Sequence, residues 1–237
     1  MTPGTLYLVP ATLGECRLEA VLPAEVCEIA RSLDYFIVEN AKSARSELKR
    51  LGFPRPLRDI DIRELPREPT LAELDALLVP LIAGRSAGLM SEAGVPAVAD
   101  PGARLVQAAH EAKIRVAPLV GPSSILLALM ASGLNGQSFA FHGYLPIREP
   151  ERSKRIAELE SESLLDQRTQ IFIETPYRNA ALFSALLQAC RPATRLCIAS
   201  GLTTDRERIE SRRIDIWRSL PTPAIEKKPS VFLLLAE

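Results

Sequence analysis

Short apolar bursts alternate with longer stretches of helical periodicity along most of the chain. Residues 5–9 and 35–38 are runs of strand formers, the first stopped by Pro10. Between them, residues 18–33 carry apolar positions at helical spacing, with Pro23 near a helix start. A charged helix is predicted over 41–51 and ends at Gly52. Residues 55–69 are proline-rich and charged, which predicts an exposed, mobile connection. Leu71, Leu74, Leu77, Leu78 and Leu81 predict an amphipathic helix over 71–82. Residues 86–90 then predict a strand, 103–112 a helix and 114–117 a strand. The alternation restarts with a helix over 123–132 and strands over 138–141, 169–174 and 195–200. Helices over 151–165 and 179–189 separate these strands, and 231–235 is a buried terminal strand. Such alternation predicts an α/β fold with largely parallel sheets. The proline- and glycine-punctuated stretch 118–122 divides it into two α/β domains, 1–117 and 118–237.

One segment fits neither period. "SEAGVPAVADPG", residues 91–102, follows a strand and opens a helix. In open α/β sheets that is where ligands bind. Gly94 and Gly102 permit positive φ, and Pro96 and Pro101 fix the path between them. The stretch 118–124 repeats the layout, with Ser123 and Ser124 at the start of the next helix. From the residues alone, a paired ligand site and a pair of tight turns are equally good accounts. Neither loop matches G-x-x-x-x-G-K-[ST], G-x-G-x-x-G or G-x-S-x-G, which disfavours a P-loop nucleotidase, a Rossmann dehydrogenase and a serine hydrolase.

Composition narrows the partners. Lys plus Arg and Asp plus Glu number 29 each, so no global basicity marks a nucleic-acid binder, although a local patch would serve. The cysteines Cys16, Cys27, Cys190 and Cys197 form no C-x-x-C pair, and the histidines are only His110 and His142. Free thiols in a reducing compartment and no metal centre are expected. The first residues lack the basic and apolar regions of a signal peptide, and no apolar run is long enough to span a bilayer. The expectation is a cytoplasmic protein with no membrane partner.

Four motifs then occur in order: "GTLYLVPATLGE" at 4–15, "SEAGVPAVADPGARLV" at 91–106, "VAPLVGPSSILLALMASGL" at 116–134 and "FAFHGYLP" at 139–146. Together they resemble the tetrapyrrole (corrin/porphyrin) methylase superfamily, and within it the ribosomal RNA cytidine 2'-O-methyltransferases. That resemblance implies two α/β domains with a cofactor cleft between them, a homodimer, and S-adenosylmethionine as cofactor. It places Gly94, Val95, Pro96 and Val98 along the methionine and ribose, with Ser123 and Ser124 in the second loop. Glu174, Thr175, Leu202, Pro229 and Ser230 would approach the adenine.

The acceptor side departs from the pattern. The usual A-E-D-T-R is Val38-Glu39-Asn40-Ala41-Lys42 here, and the usual G-N of the first loop is Gly14-Glu15. Glu92 and Val95 replace an aspartate and a threonine, and Lys228-Pro229-Ser230 replaces K-G-E. Glu39 and Glu15 are the catalytic candidates; surface or capping carboxylates are the competing account of both. Tyr177 and Arg178 suit substrate contact, and packing at a helix start is the competing account of Tyr177. Lys42, Arg45, Lys49 and Arg50 form either a solvated helix surface or an RNA phosphate patch. His142 is expected to pack at a strand end, and Met90 and Met130 in the core. Ribose of RNA is the favoured acceptor. A small-molecule, tetrapyrrole-like acceptor and a non-catalytic S-adenosylmethionine-binding protein stand beside it, and a flavodoxin-like nucleotide binder is disfavoured.

Overall fold

In the computed structural model, which describes residues 2–237, the strands sort into two five-stranded sheets, and the chain divides after Ser123 into two compact units. The first unit holds β1 (Thr5–Leu8), α1 (Ala24–Ser32), β2 (Tyr35–Val38), α2 (Ala41–Arg50), β3 (Asp61–Glu64), α3 (Leu71–Ile82), β4 (Ala87–Met90), α4 (Ala103–Glu111) and β5 (Arg115–Pro118). Its sheet is parallel throughout, in the order β3-β2-β4-β1-β5.

Strand periodicity explains the two cores of this unit. In β2, Phe36 and Val38 join a core with Val26 and Ala30 of α1 and Ala44 and Leu48 of α2. Tyr35 and Ile37 enter another, with Leu74, Leu77 and Leu81 of α3 and Leu105 and Ala109 of α4. The helices thus cover opposite faces, and all four residues of β2 are buried. Because β1 and β4 are neighbours whose following helices lie on opposite faces, a crevice opens beyond their carboxyl ends.

Two expectations for this unit are corrected. Only residues 24–32 of the predicted 18–33 helix are α-helical; residues 18–20 form a 3-10 turn, and Pro23 occupies the N-cap. Pro23 disfavours helical geometry at Leu22, which keeps the two pieces apart. The connection 55–69 is not a plain mobile loop, because it contains β3, which pairs with β2 from Tyr35↔Asp61 to Val38↔Glu64. As an edge strand, β3 carries charge along its length, and Asp61 pairs with Arg63 at 3.1 Å and with Arg85 at 3.2 Å.

The second unit holds α5 (Ser124–Ser132), β6 (Phe139–Tyr144), α6 (Glu151–Asp166), β7 (Thr169–Glu174), α7 (Asn179–Ala189), β8 (Arg195–Ser200), β9 (Arg208–Arg213), α8 (Ile214–Arg218) and β10 (Ser230–Leu235). The order is β6-β7-β10-β8-β9, and only β6 and β7 are parallel. The expectation of largely parallel strands therefore fails here: β9 turns back beside β8, and β10 inserts antiparallel between β7 and β8. Phe172 and Phe232 stack with centroids 6.0 Å apart, and Phe183 meets Trp217 edge-on at 5.5 Å. Trp217 also donates through Nε1 to the Leu196 carbonyl at 2.9 Å, so its polar tip is satisfied in the core. Met90 is buried, but Met130 is 80% exposed on α5, contrary to expectation. Nearly every position of α5 is apolar, so sequence does not mark its outward side.

Candidate functional site

In the first unit, the loops that follow β1, β4 and β5 meet at the crevice. Ala11 and Gly94 exchange two backbone hydrogen bonds, of 2.8 and 3.1 Å, which zip the first two loops together. Gly94 has φ +74, and a Cβ there would lie 3.3 Å from the Pro122 carbonyl and 3.2 Å from Leu13. Gly121 packs so closely on Pro10 that a Cβ would sit 2.2 Å from the proline ring. The third loop is thereby pressed on the first.

Within 94–102 the backbone takes positive φ at Gly94, Ala97, Ala99 and Gly102. The alanines pay a left-handed cost that glycine avoids, about 1 kcal/mol each or more. Strain of this kind persists where surrounding contacts dictate the path, and it gathers at functional loops. Gly94 and Pro96 are buried, Val95 is half-buried, and Val98 is 49% exposed on the loop's outer side. These four expected residues therefore form one continuous turn. Ser123 follows it at the end of the third loop, and Ser124 opens α5.

Glu39 follows β2, and its amide donates to the Met90 carbonyl at 3.1 Å. Its Oε2 accepts the Glu92 amide at 3.2 Å, while Glu92 Oε1 accepts the Ser43 hydroxyl at 2.8 Å. A third carboxyl joins them. Burial first, and the Glu39 carboxylate second, push Asp100 up to about 6; Glu92 adds to the rise and the Ser91 hydroxyl opposes it. Asp100 was in the segment that sequence singled out, yet only its folded surroundings mark it. Glu15, the other catalytic candidate, is exposed and stands apart from this cluster's hydrogen bonds.

Beside the carboxylates, a cleft of about 500 Å³ lies between the loop at 12–14, the start of α2 and residues 92–93. Asn40 forms one wall because it caps α2, accepting from the Lys42 and Ser43 amides at 2.9 and 3.0 Å. The opposite loop is clamped to α2 by a pair that sequence reasoning missed. Glu47 accepts the Thr12 amide at 2.9 Å, and Arg50 donates to Thr12 Oγ1 at 2.6 Å, to Glu47 at 2.9 Å and to the Cys16 carbonyl at 2.8 Å. Arg50, exposed on the helix surface, is thus also a structural tie. The only signal in the chain was an acid and a base three residues apart on a helix.

In the second unit, the remaining expected residues share one sheet edge. Ser230 is opposite Glu174 in one pairing and opposite Ser200 in the other, which sets the ends of β7 and β8 beside the start of β10. Glu174 is buried and accepts from the Thr175 amide at 2.6 Å and from Arg178 at 2.6 and 2.9 Å. Gly201 donates to the Pro229 carbonyl at 3.1 Å, just before buried Leu202. Asn179 donates to the Ile225 and Lys228 carbonyls and to the Ser230 hydroxyl, fixing the strap that carries Pro229. Tyr177 is 85% exposed, so the packing account of it is overturned, and Arg178 is committed to Glu174. His142 makes polar contacts rather than simply packing, with Gln170 at 2.6 Å and Arg155 at 3.4 Å.

Cys27, Cys190 and Cys197 are buried, Cys16 is half-buried, and all are free. Among the described residues no cluster suits a metal ion and no helix is long and apolar enough to cross a membrane.

The profile described as Tetrapyrrole (Corrin/Porphyrin) Methylases matches residues 5–215. A ribosomal RNA small subunit methyltransferase I of Xylella fastidiosa (strain Temecula1 / ATCC 700964) is 37% identical over 185 residues, covering 78% of this chain and 63% of that protein. One of the same name from Mesorhizobium japonicum (strain LMG 29417 / CECT 9101 / MAFF 303099) is 33% identical over 212 residues, covering 87% of this chain and 66% of its own. This chain therefore spans about two thirds of the length of such relatives. Among solved structures, the methyltransferase CobJ aligns with a TM-score of 0.63 and 16% identity, covering 99% of this chain and all of CobJ, a likeness of fold.

Proposed function

The chain belongs to the tetrapyrrole (corrin/porphyrin) methylase family, and from that premise we propose that it transfers a methyl group from S-adenosylmethionine to a ribose 2'-hydroxyl of small-subunit ribosomal RNA. The observation that carries the proposal is the cradle at 94–98, zipped to the first loop through Ala11 and pressed by the third. A cofactor lying there meets backbone rather than long side chains. Gly94, Val95, Pro96 and Val98 would hold its amino-acid and ribose portions, with Ser123 and Ser124 beside them. Glu174, Thr175, Leu202, Pro229 and Ser230 would receive the adenine at the edge of the second sheet. The names of the curated relatives support RNA as acceptor.

When bound, the cofactor supplies a methyl group on a sulfonium, which needs no metal to activate it. The chain's own task is to place the acceptor oxygen in line and receive its proton. Glu39 and Asp100 are the groups for that proton. With its pKa raised to about 6, Asp100 is mostly ionised near neutrality and remains a better base than an unperturbed aspartate. Glu39, already holding the Glu92 amide, positions the pair. Glu15 is the weaker catalytic candidate because it lies outside this arrangement. A ribose would offer hydroxyl donors to the carboxylates of Glu39, Glu92 and Asp100. The proposal includes a homodimer, as the family resemblance implies, in the cytoplasm.

Methyl transfer from labelled S-adenosylmethionine tests it, with unmethylated small-subunit RNA and a porphyrinogen offered in parallel. Label recovered in alkali-resistant, 2'-O-methylated dinucleotides is the expected result. Label only in the porphyrinogen, or in neither acceptor, would overturn the proposal.

A further inference from the structure

The two sheets present four edges, and three of them are guarded. Asp61, Arg63 and Glu64 charge β3, Arg115 and Pro118 mark β5, and Arg208, Glu210, Arg212 and Arg213 charge β9. The remaining edge is β6, Phe139-Ala140-Phe141-His142-Gly143-Tyr144, which carries no carboxylate, ammonium, guanidinium or proline. Its histidine is tied down by Gln170 and by Arg155 of α6. No residue of β6 is buried, whereas β7, β8 and β10 are buried at nearly every position. An apolar strand with an open edge is a template for another strand.

The hydrogen-bond ladder sets which groups lie open. Thr169 donates to the Ser138 carbonyl at 3.0 Å, so Ser138 and, two residues on, Ala140 turn their backbone groups toward β7. Phe139 and Phe141 then present N–H and C=O outward. Their side chains share the face of Ile171, opposite the one on which Phe172 enters its core. Helix α5 contributes nothing to that core and packs on β8, β9 and β10. It therefore lies on the face of the two phenylalanines, with Leu126 and Met130 exposed. Gly143, at φ +65, and the register shift after Phe141 bend the strand, which confines the flat edge to 139–141.

That edge is complementary to itself. In an antiparallel pairing about a two-fold at Ala140, each Phe139 exchanges both backbone hydrogen bonds with the partner's Phe141. The alanines form the close non-hydrogen-bonded pair between them. The phenylalanines then make cross-strand aromatic pairs, and no like charges oppose one another. Strand pairing alone is narrower than a stable interface requires, and exposed Leu126 and Met130 extend the apolar surface on that face. We propose that β6 is the edge through which two copies of this chain pair, joining their second sheets into one continuous sheet. The inference rests on the homodimer proposed above and names the face that forms it.

Sedimentation velocity of the full chain and its variants tests it, and the native chain is expected to be a dimer. Phe139→Glu places a charge within the pairing and should raise the dimer dissociation constant roughly tenfold, with circular dichroism unchanged. Tyr144→Glu, beyond the bend, should leave the dimer intact. In the Ala140→Cys variant the two-fold sets the paired Cα atoms about 4.5 Å apart, within disulfide reach. Diamide, which takes up the electrons and protons of the paired thiols, should cross-link that variant and leave the native chain uncross-linked. A dimer that Phe139→Glu leaves as tight, or an Ala140→Cys dimer that diamide does not cross-link, overturns the edge alone. A monomeric native chain removes the homodimer with it, and S-adenosylhomocysteine binding by that monomer leaves the transferase reading standing.

Discussion

At the scale of single residues, Asp100 shows how position rather than identity makes a group useful. An aspartate ordinarily titrates near 3.8, and burial beside Glu39 raises this one to about 6. Between those values the folded protein binds more protons than the unfolded chain, so this group's contribution to stability falls as pH rises from about 4 to about 6. Replacing Asp100 with Asn should therefore stabilise the protein above pH 6 by about 1–3 kcal/mol and leave it nearly unchanged at pH 4. Denaturant unfolding of both proteins at the two pH values checks this; an equal or negative change at pH 7 would contradict it. The glycines and prolines of 91–102 announced a turn because their backbone preferences are intrinsic. Left-handed Ala97 and Ala99 were not legible, since contacts around the loop impose that conformation against the residues' own preference.

At the scale of elements, the site depends on loops being held by neighbours far away in sequence. Glu47 and Arg50 of α2 grip Thr12, and Ala11 then grips Gly94. Removing the carboxylate with Glu47→Ala leaves the buried Thr12 amide without that partner, at a cost of about 1–3 kcal/mol. Hydrogen exchange at Thr12, Leu13 and Gly94 should accelerate more than at β2, and unchanged exchange at Thr12 would contradict the clamp. The elements that sequence disclosed were those with a clear period: α3 from its leucines, and α7 within the residues expected. Those it hid were β3 and β9, charged edge strands that need little apolar surface, and α8, a five-residue helix buried through Ile214 and Trp217. The antiparallel pairings of the second sheet were hidden for another reason. Alternating strands and helices do not reveal where a terminal strand such as β10 inserts.

At the scale of the whole molecule, four motifs in order carried more information than any one of them, and three of them supply the loops after β1, β4 and β5 that meet beside the first sheet. The first sheet gathers the ends of β1, β2, β4 and β5, and the second gathers the ends of β7 and β8 with the start of β10. The carboxylate cluster was less legible, because Glu39 comes from a stretch far from Glu92 and Asp100 in the chain and meets them only in the fold. The central claim is that the 94–98 turn holds the cofactor. Calorimetric titration with S-adenosylhomocysteine, on the native chain and on Val95→Trp, tests it most directly. Binding near micromolar, about −8 kcal/mol, that the tryptophan abolishes without unfolding the protein is the predicted result. A folded native chain that binds none, or a Val95→Trp variant that binds as tightly, would contradict it.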